Sequence, residues 1–335
     1  MKAYELPDFS GIDGLVPVER PMPDPGHGEA LVKVRAASVN YRDLLVVKGA
    51  YSRNLSLPLV PFSDCAGEVV AVGEGVTRVK GGDRVAGIFM QRWIAGELTA
   101  EKVASALGGA IDGVLAEYVV LKEEGLVHLP EHLSFEEGAT LPCAGVTAWH
   151  AVVECGIKPG DTVLALGTGG VSLFALQFAR LAGARVIITS GDDKKLQRAL
   201  GLGASDGVNY RAEPEWEKRV KALTNGVGVD CLVEVGGAGT LPKSLHAVRI
   251  GGRISLIGVL TGAAGEVNPL PVVMKKLQIQ GILVGSREMF EAMNRAISVH
   301  GLRPVIDRVF PFAEARDALR HMESGAHFGK VVISV

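Results

Sequence analysis

The apolar run Val163 to Leu166 is followed by Gly167, Gly169 and Gly170, and then by apolar residues at Ala175, Phe178, Ala179 and Ala182. A run without alternation suits a strand buried on both faces, the glycines permit a tight turn, and the later spacing suits a helix. A second apolar run, Arg185–Thr189, completes a strand, turn, helix, strand unit. In such a unit the backbone N–H groups of Gly167, Gly169, Gly170 and Val171, with the positive end of the helix dipole, form a cradle for a pyrophosphate. Ser172 stands in place of a third glycine and is small enough to keep helix and strand close.

Ligands of open parallel sheets lie beyond the carboxyl ends of the strands, which directs attention to the backbone at Val235, Gly236 and Gly258. At the end of the second strand an Asp or Glu would bind an unmodified ribose, but Ser190 is there instead. Serine leaves room for a 2′-phosphate, and Lys195 can pair with one. Asp192 and Asp193 lie in the same turn, where capping of the helix near Lys194 is the commoner use. The expected cofactor is NADP(H), with NAD(H) as the alternative.

These elements need a chain that can fold around them. At 335 residues the sequence is long enough for two domains. Its formal net charge of -2 and its lack of any Lys/Arg block argue against nucleic acid or an anionic membrane as partner. No apolar run reaches a membrane span, and Met1-Lys2-Ala3-Tyr4-Glu5 lacks the apolar core of a signal peptide. A cytoplasmic location is the default expectation. Cys65, Cys143, Cys155 and Cys231 form no Cys-x-x-Cys pair and are expected to be reduced thiols.

To about Glu124 the pattern is β-rich, with strands expected at Ala30–Ala36 and Gly67–Val72. From Leu133 helical periods alternate with strands at Val163–Leu166, Arg185–Thr189, Val229–Val235, Arg253–Gly258 and Leu277–Val284, the order of a doubly wound α/β sheet. After Ser286 come a helix (Met289 to His300), a strand near Val305–Phe310, a helix (Glu314 to Met322) and a strand Lys330–Val335. The expected organisation is one domain from 1–124 and 286–335, and a dinucleotide-binding domain over 125–285.

Several ordered motifs support a family resemblance: Ser38-Val-Asn-Tyr-Arg-Asp43, Pro61-Phe-Ser-Asp-Cys-Ala-Gly67, Gly81-Gly-Asp-Arg-Val85, Leu141-Pro-Cys-Ala-Gly-Val-Thr-Ala-Trp149, the glycine turn and Phe328-Gly-Lys-Val-Val332. Over essentially its whole length the chain resembles the medium-chain dehydrogenase/reductase superfamily, most of all its zinc-independent branch of quinone oxidoreductases and enoyl reductases. The resemblance implies a Rossmann domain, a GroES-like β-barrel catalytic domain with a cleft between them, and commonly a homodimer joined through the edge strand of the Rossmann sheet, for which Leu277–Val284 is the candidate, the alternative being an internal strand with no partner. It also assigns Tyr210 to the 2′-phosphate and Thr147 to the nicotinamide, although Thr147 equally suits helix packing.

Zinc members of this superfamily hold their metal with a Cys, a His-Glu pair and a second Cys. Asn40 and Ser63-Asp64 occupy the first positions here, and only Cys143 retains a thiol. Two of these are poor ligands, so no zinc is expected. Cys143, among Leu141, Pro142 and Ala144, is expected to be a small buried thiol.

Without a Lewis acid, hydrogen-bond donors must stabilise charge on the substrate oxygen. Asn40 can donate an amide N–H, Tyr41 a phenolic proton, and Ser63 and Asp64 face them from another loop. Asn40 is equally readable as a loop-stabilising residue; for Arg42 and Asp43 that structural role is preferred. Trp93 is either a cover over an apolar substrate or a packing residue. The function expected is hydride transfer to a small quinone or conjugated carbonyl. The alternatives are a zinc-type alcohol dehydrogenase and a catalytically weak cofactor-binding protein.

Overall fold

From its N-terminus the chain runs through β1 (Lys2–Glu5), β2 (Val16–Glu19), β3 (Glu29–Val39), α1 (Tyr41–Val47), β4 (Asp64–Val72), β5 (Arg84–Gly87), α2 (Ala100–Val103), β6 (Tyr118–Lys122), β7 (Leu126–His128) and α3 (Phe135–Gly138). A π-helical turn at Leu141–Gly145 leads into α4 (Val146–Glu154). There follow β8 (Thr162–Ala165), α5 (Gly170–Leu181), β9 (Arg185–Ser190), α6 (Asp193–Gly201), β10 (Asp206–Asn209), α7 (Trp216–Leu223), β11 (Val229–Glu234), α8 (Leu241–Ala247), β12 (Val248–Leu256), α9 (Leu270–Met274) and β13 (Gln278–Gly281). The chain ends with α10 (Arg287–His300), β14 (Ile306–Pro311), α11 (Ala315–Glu323) and β15 (Lys330–Ser334). This computed structural model describes residues 1–52 and 54–335.

Packing divides the chain into Met1–Val146 with Val284–Val335, and Thr147–Leu283. The sequence reading placed 125–146 and residues 284–285 with the dinucleotide domain. They pack in the first unit because β7 pairs antiparallel with β5, and because the Cys143 backbone N–H binds Asp64 at the start of β4.

In the first unit a seven-stranded sheet runs β14-β15-β3-β4-β5-β7, with β6 added to β3. Strand β3 is apolar at seven of its eleven positions and buried at eight. It pairs with β15, β4 and β6, all antiparallel. The core over it is built from Val32, Val34, Val39, Phe62, Leu115, Leu319 and Ile333, among others.

The second unit holds a six-stranded parallel sheet in the order β10-β9-β8-β11-β12-β13. The order of strand addition reverses between β8 and β11, the switch point where ligands of doubly wound sheets bind. Strands β8, β9 and β11 are buried at nearly every position, as runs without alternation require. Helix α5 buries Phe174 and Phe178, whose rings stack at 5.8 Å, with Trp149 meeting Phe178 edge-on at 5.4 Å. Truncating either phenylalanine to alanine would cost about 3–5 kcal/mol.

Three details differ from the sequence reading. Cys155 and Cys231 are joined by a disulfide across 76 positions, correcting the expectation of four reduced thiols; only Cys65 and Cys143 are free. The fold brings the end of α4 against β11, a proximity that sequence spacing does not encode. The edge strand is shorter than Leu277–Val284 because the backbone departs from extended form, with Val284 at φ 48°. Helix α10 begins at Arg287, earlier than expected, because Ser286 caps it through the Met289 N–H. Among the described residues no helix is long and apolar enough to cross a membrane.

Candidate active site

Strand β3 carries the first constellation. Its register sets Val39 opposite Val331 of β15 and Ser38 opposite Asp64 of β4. Asn40, one residue past the end of β3, therefore lies with Lys330 on one side and Asp64 on the other. Lys330 is buried at 3% exposure. Its ammonium donates to the Asn40 side-chain Oδ1 at 2.5 Å and to the Val39 carbonyl at 2.8 Å. Asp64, fully buried, accepts the Ser63 hydroxyl at 2.7 Å and the Cys143 backbone N–H at 3.0 Å.

The electrostatics follow from burial. Desolvation raises the Asp64 carboxyl above its ordinary range, opposed by Lys330, Ser63, the Asn40 amide and the Cys143 N–H. Desolvation lowers Lys330, opposed by Asp64 and Asp43. The Asn40 Nδ2 leans toward Asp64 and draws its carboxyl down, yet makes no hydrogen bond of full geometry. Burial also raises the Cys143 thiol, with Asp64 adding to the effect, so it is a poor nucleophile at neutral pH. Some of the Cys143 surface is still accessible, so this residue is less enclosed than expected.

Asn40 is the N-cap of α1, and its backbone N–H donates to the Asp43 carboxylate at 2.8 Å. Arg42 reaches Asp43 at 3.4 Å and lies over the rings of Tyr51 and Phe89 at 5.2 and 4.9 Å. Arg42 and Asp43 thus stabilise the loop. Burial raises Asp43 to about 6, with Arg42 opposing and Asp64 reinforcing. Tyr41, the first residue of α1, packs partly buried against the apolar core. Trp93 is buried and donates its ring N–H to the Gly96 carbonyl at 2.8 Å, which makes it a packing residue.

These groups do not fit a catalytic zinc. Asn40 is a neutral, weak ligand whose oxygen already accepts an ammonium, and burial keeps the Cys143 thiol protonated, which leaves Asp64 as the one anionic donor among them. A buried lysine cation within the donor set would repel a dication.

The second constellation lies at the carboxyl ends of β8, β9, β11 and β12. Gly167 adopts φ 76° with open space where a side chain would project, but its N–H donates to Thr189 Oγ1 at 3.0 Å and so is not a free member of the cradle expected from the sequence. Gly169 caps α5 without a side chain, so the amides of Gly170 and Val171 open the helix toward an anion. Ser172 donates to the Leu166 carbonyl at 2.6 Å, tying helix to strand where a third glycine would permit only contact.

At the end of β9, Ser190 is buried and accepts the Asp192 N–H at 3.2 Å. Asp192 caps α6 through the Lys195 N–H at 3.0 Å, and Asp193 accepts from Asn209 at 2.6 Å. Both acids are thus engaged in local structure. A side chain at Gly191 would meet the Tyr210 hydroxyl at 2.9 Å and Arg211 Nε at 2.8 Å, so these two groups border the turn that follows Ser190. Lys195 lies in the first turn of α6. The sequence reading did not single out Arg211, which follows Tyr210 in the same loop.

Beyond β11, the buried Glu234 carboxylate accepts the N–H groups of Gly236 and Gly237 at 2.7 and 3.2 Å and the Thr240 hydroxyl at 2.7 Å. It also accepts the Ser244 hydroxyl. This carboxylate, also missed, shapes the turn that presents Val235 and Gly236. Gly258 packs so closely that an added Cβ would stand 2.2 Å from the Val235 carbonyl oxygen. Thr147 is buried in α4. These residues fit a nicotinamide dinucleotide: open backbone amides at the turn, and cationic and hydroxyl groups at the end of β9.

Comparison with known proteins gives matching results. Residues 26–131 match the family model described as the alcohol dehydrogenase GroES-like domain, and residues 170–298 match zinc-binding dehydrogenase. A zinc-type alcohol dehydrogenase-like protein of Schizosaccharomyces pombe is 45% identical, over 98% of this chain and 97% of that protein. Human quinone oxidoreductase is 30% identical, over 99% and 97% respectively. The crystal structure of an NAD-dependent alcohol dehydrogenase superposes with a TM-score of 0.92 at 37% identity, covering 100% of both chains.

Proposed function

The chain belongs to the medium-chain dehydrogenase/reductase superfamily of oxidoreductases, and from that premise we propose that it is a zinc-independent, NADPH-dependent reductase of quinones or conjugated carbonyls. The observation that carries this reading is the Lys330 ammonium on the Asn40 oxygen. It sets a cation against the Asn40 oxygen and leaves the buried amide NH2 as the end that can donate.

Bound NADPH supplies the hydride. When hydride reaches the far carbon of a conjugated carbonyl, or a quinone carbon, electron density accumulates on oxygen. An amide donor would stabilise that oxygen, and Asn40 Nδ2, which makes no full hydrogen bond within the protein, is the proposed one. Tyr41, next in sequence, is the proposed proton source, directly or through water. Such acceptors need less polarisation than a simple alcohol undergoing oxidation, which favours them for a site without a Lewis acid. The preference for NADPH rests on Ser190, Lys195, Tyr210 and Arg211, with Asp192 and Asp193 engaged elsewhere.

The same reading pairs two copies through β13. This strand lies at the end of its sheet and all four of its residues are exposed. The preceding α9 exposes Leu270, Val273 and Met274, which an isologous contact would cover.

The test is NADPH binding by fluorescence, followed by oxidation with a panel of quinones, enones and aldehydes. Turnover of quinones or enones that survives a chelator is the expected result. Chelator-sensitive alcohol oxidation, or binding without turnover, would overturn the reading.

A further inference from the structure

We infer that Lys330 is a positioning residue that fixes the orientation of the Asn40 side-chain amide, so that its Nδ2 and not its Oδ1 is offered to a substrate oxygen. This rests on the proposed role of Asn40 as donor.

An asparagine amide has two faces of opposite character, an acceptor oxygen and a donor NH2, and rotation exchanges them. Left to itself Asn40 could present either. Three observations remove the choice. The Lys330 ammonium has hydrogens to give and no lone pair to accept with. It is held in place by the Val39 carbonyl at 2.8 Å and reaches the Asn40 Oδ1 at 2.5 Å. On the opposite side Asp64, with both oxygens as acceptors, favours the NH2 end. The amide therefore lies between a cation on its oxygen and an anion near its nitrogen.

The inverted amide would place NH2 against an ammonium and oxygen near a carboxylate, two repulsive contacts in a buried setting where charges are poorly screened. The orientation that results leaves Nδ2 buried without a full hydrogen bond. An unmet donor of this kind is costly and calls for a partner, which a substrate oxygen would supply. The arrangement depends on strand pairing. Val331 opposite Val39 brings Lys330 to the end of β3, and Ser38 opposite Asp64 brings the carboxylate. Lysine is otherwise out of place in the buried strand Lys330–Ser334, whose next three residues are Val331, Val332 and Ile333.

The experiment is a double-mutant cycle with Lys330→Met and Asn40→Ala, read as kcat and KM with NADPH and a quinone or enone that the parent reduces. Lys330→Met is expected to lower kcat at least tenfold with KM for NADPH changed less than twofold. In the Asn40→Ala background the same substitution should change kcat less than twofold, because no amide is left to orient. Lys330→Arg, which keeps a donor without an acceptor, should recover most of the loss. Losses that multiply in the double variant, or an unaffected kcat in Lys330→Met, would overturn the inference.

A second readout does not depend on turnover. With asparagine labelled by 15N, the side-chain NH2 resonances of Asn40 are identified by their loss in Asn40→Ala. They should move in Lys330→Met and hold near the parent position in Lys330→Arg. Resonances unmoved in Lys330→Met would overturn the inference. A parent that binds NADPH but reduces nothing in the panel would defeat the proposed substrate class, while the resonances would still decide the orientation.

Discussion

The Lys330 ammonium donates to the Asn40 side-chain oxygen at 2.5 Å across two strands separated by 290 positions in sequence. On the proposed reading this contact sets a protein cation beside Asn40, and the chemistry it would leave there is hydrogen-bond donation.

Asn40→Ala is expected to lower kcat for a quinone or enone by about a hundredfold, the range for loss of one donor to a developing oxyanion. Tyr41→Phe should lower it by about tenfold, with NADPH affinity unchanged. Steady-state kinetics check both, and unchanged turnover on every accepted substrate would remove the two residues from the mechanism.

Cofactor choice is tested at the end of β9. Ser190→Asp places a carboxylate where a 2′-phosphate would sit, and should raise KM for NADPH by about tenfold or more with little change for NADH. Arg211→Ala should weaken NADPH by a smaller factor, consistent with loss of one charge-assisted contact. Parent enzyme that uses NADH as efficiently as NADPH would refute the assignment.

Gly258→Ala introduces a Cβ at 2.2 Å from the Val235 carbonyl oxygen, and backbone must shift to admit it. Titration of NADPH fluorescence should show affinity reduced by about tenfold, with a stability loss of about 1–3 kcal/mol.

Asp43 has a folded-state value of about 6 against an ordinary 3.8, raised chiefly by burial. The folded protein thus holds a proton there that the unfolded chain has released, so its contribution to stability is present below about pH 4 and lost as pH rises through 6. Arg42, Lys330 and Asp64 face the same carboxyl. Relative to Asp43→Asn, the parent should lose on the order of 1–3 kcal/mol between pH 4 and 7 in urea unfolding. A constant difference across that range would contradict the assignment.

The Cys155–Cys231 disulfide closes a loop of 76 positions. Cys155→Ala, or reduction by a dithiol, should lower stability by about 2–4 kcal/mol. Peptide mapping under non-reducing conditions reports the bond, and urea unfolding with and without reductant reports its effect.

The strand, turn and helix on which the proposed cofactor site rests were legible because their signals are local. Gly167, Gly169, Gly170 and Val171 form one turn between a strand and a helix, and Ser190 with Lys195 lies in the next such unit, so neighbours in sequence are neighbours in space. Asp192 illustrates the limit of that logic. Its two uses, ribose ligand or helix cap, are chemically open in sequence, and the Lys195 N–H at 3.0 Å assigns it as cap.

The sequence by itself determined the parallel sheet, its glycine turn and the poverty of metal ligands at Asn40 and Ser63, since apolar runs, turn residues and ligand types are properties of short segments. Tertiary structure alone decided what stands against Asn40. Lys330 reads in sequence as one more lysine, and only the register of β15 against β3 brings it onto Asn40. The pairing of Cys155 with Cys231 and the loss of 125–146 to the first unit have the same origin. Each is a contact between distant segments, fixed by which strands pair and in what register.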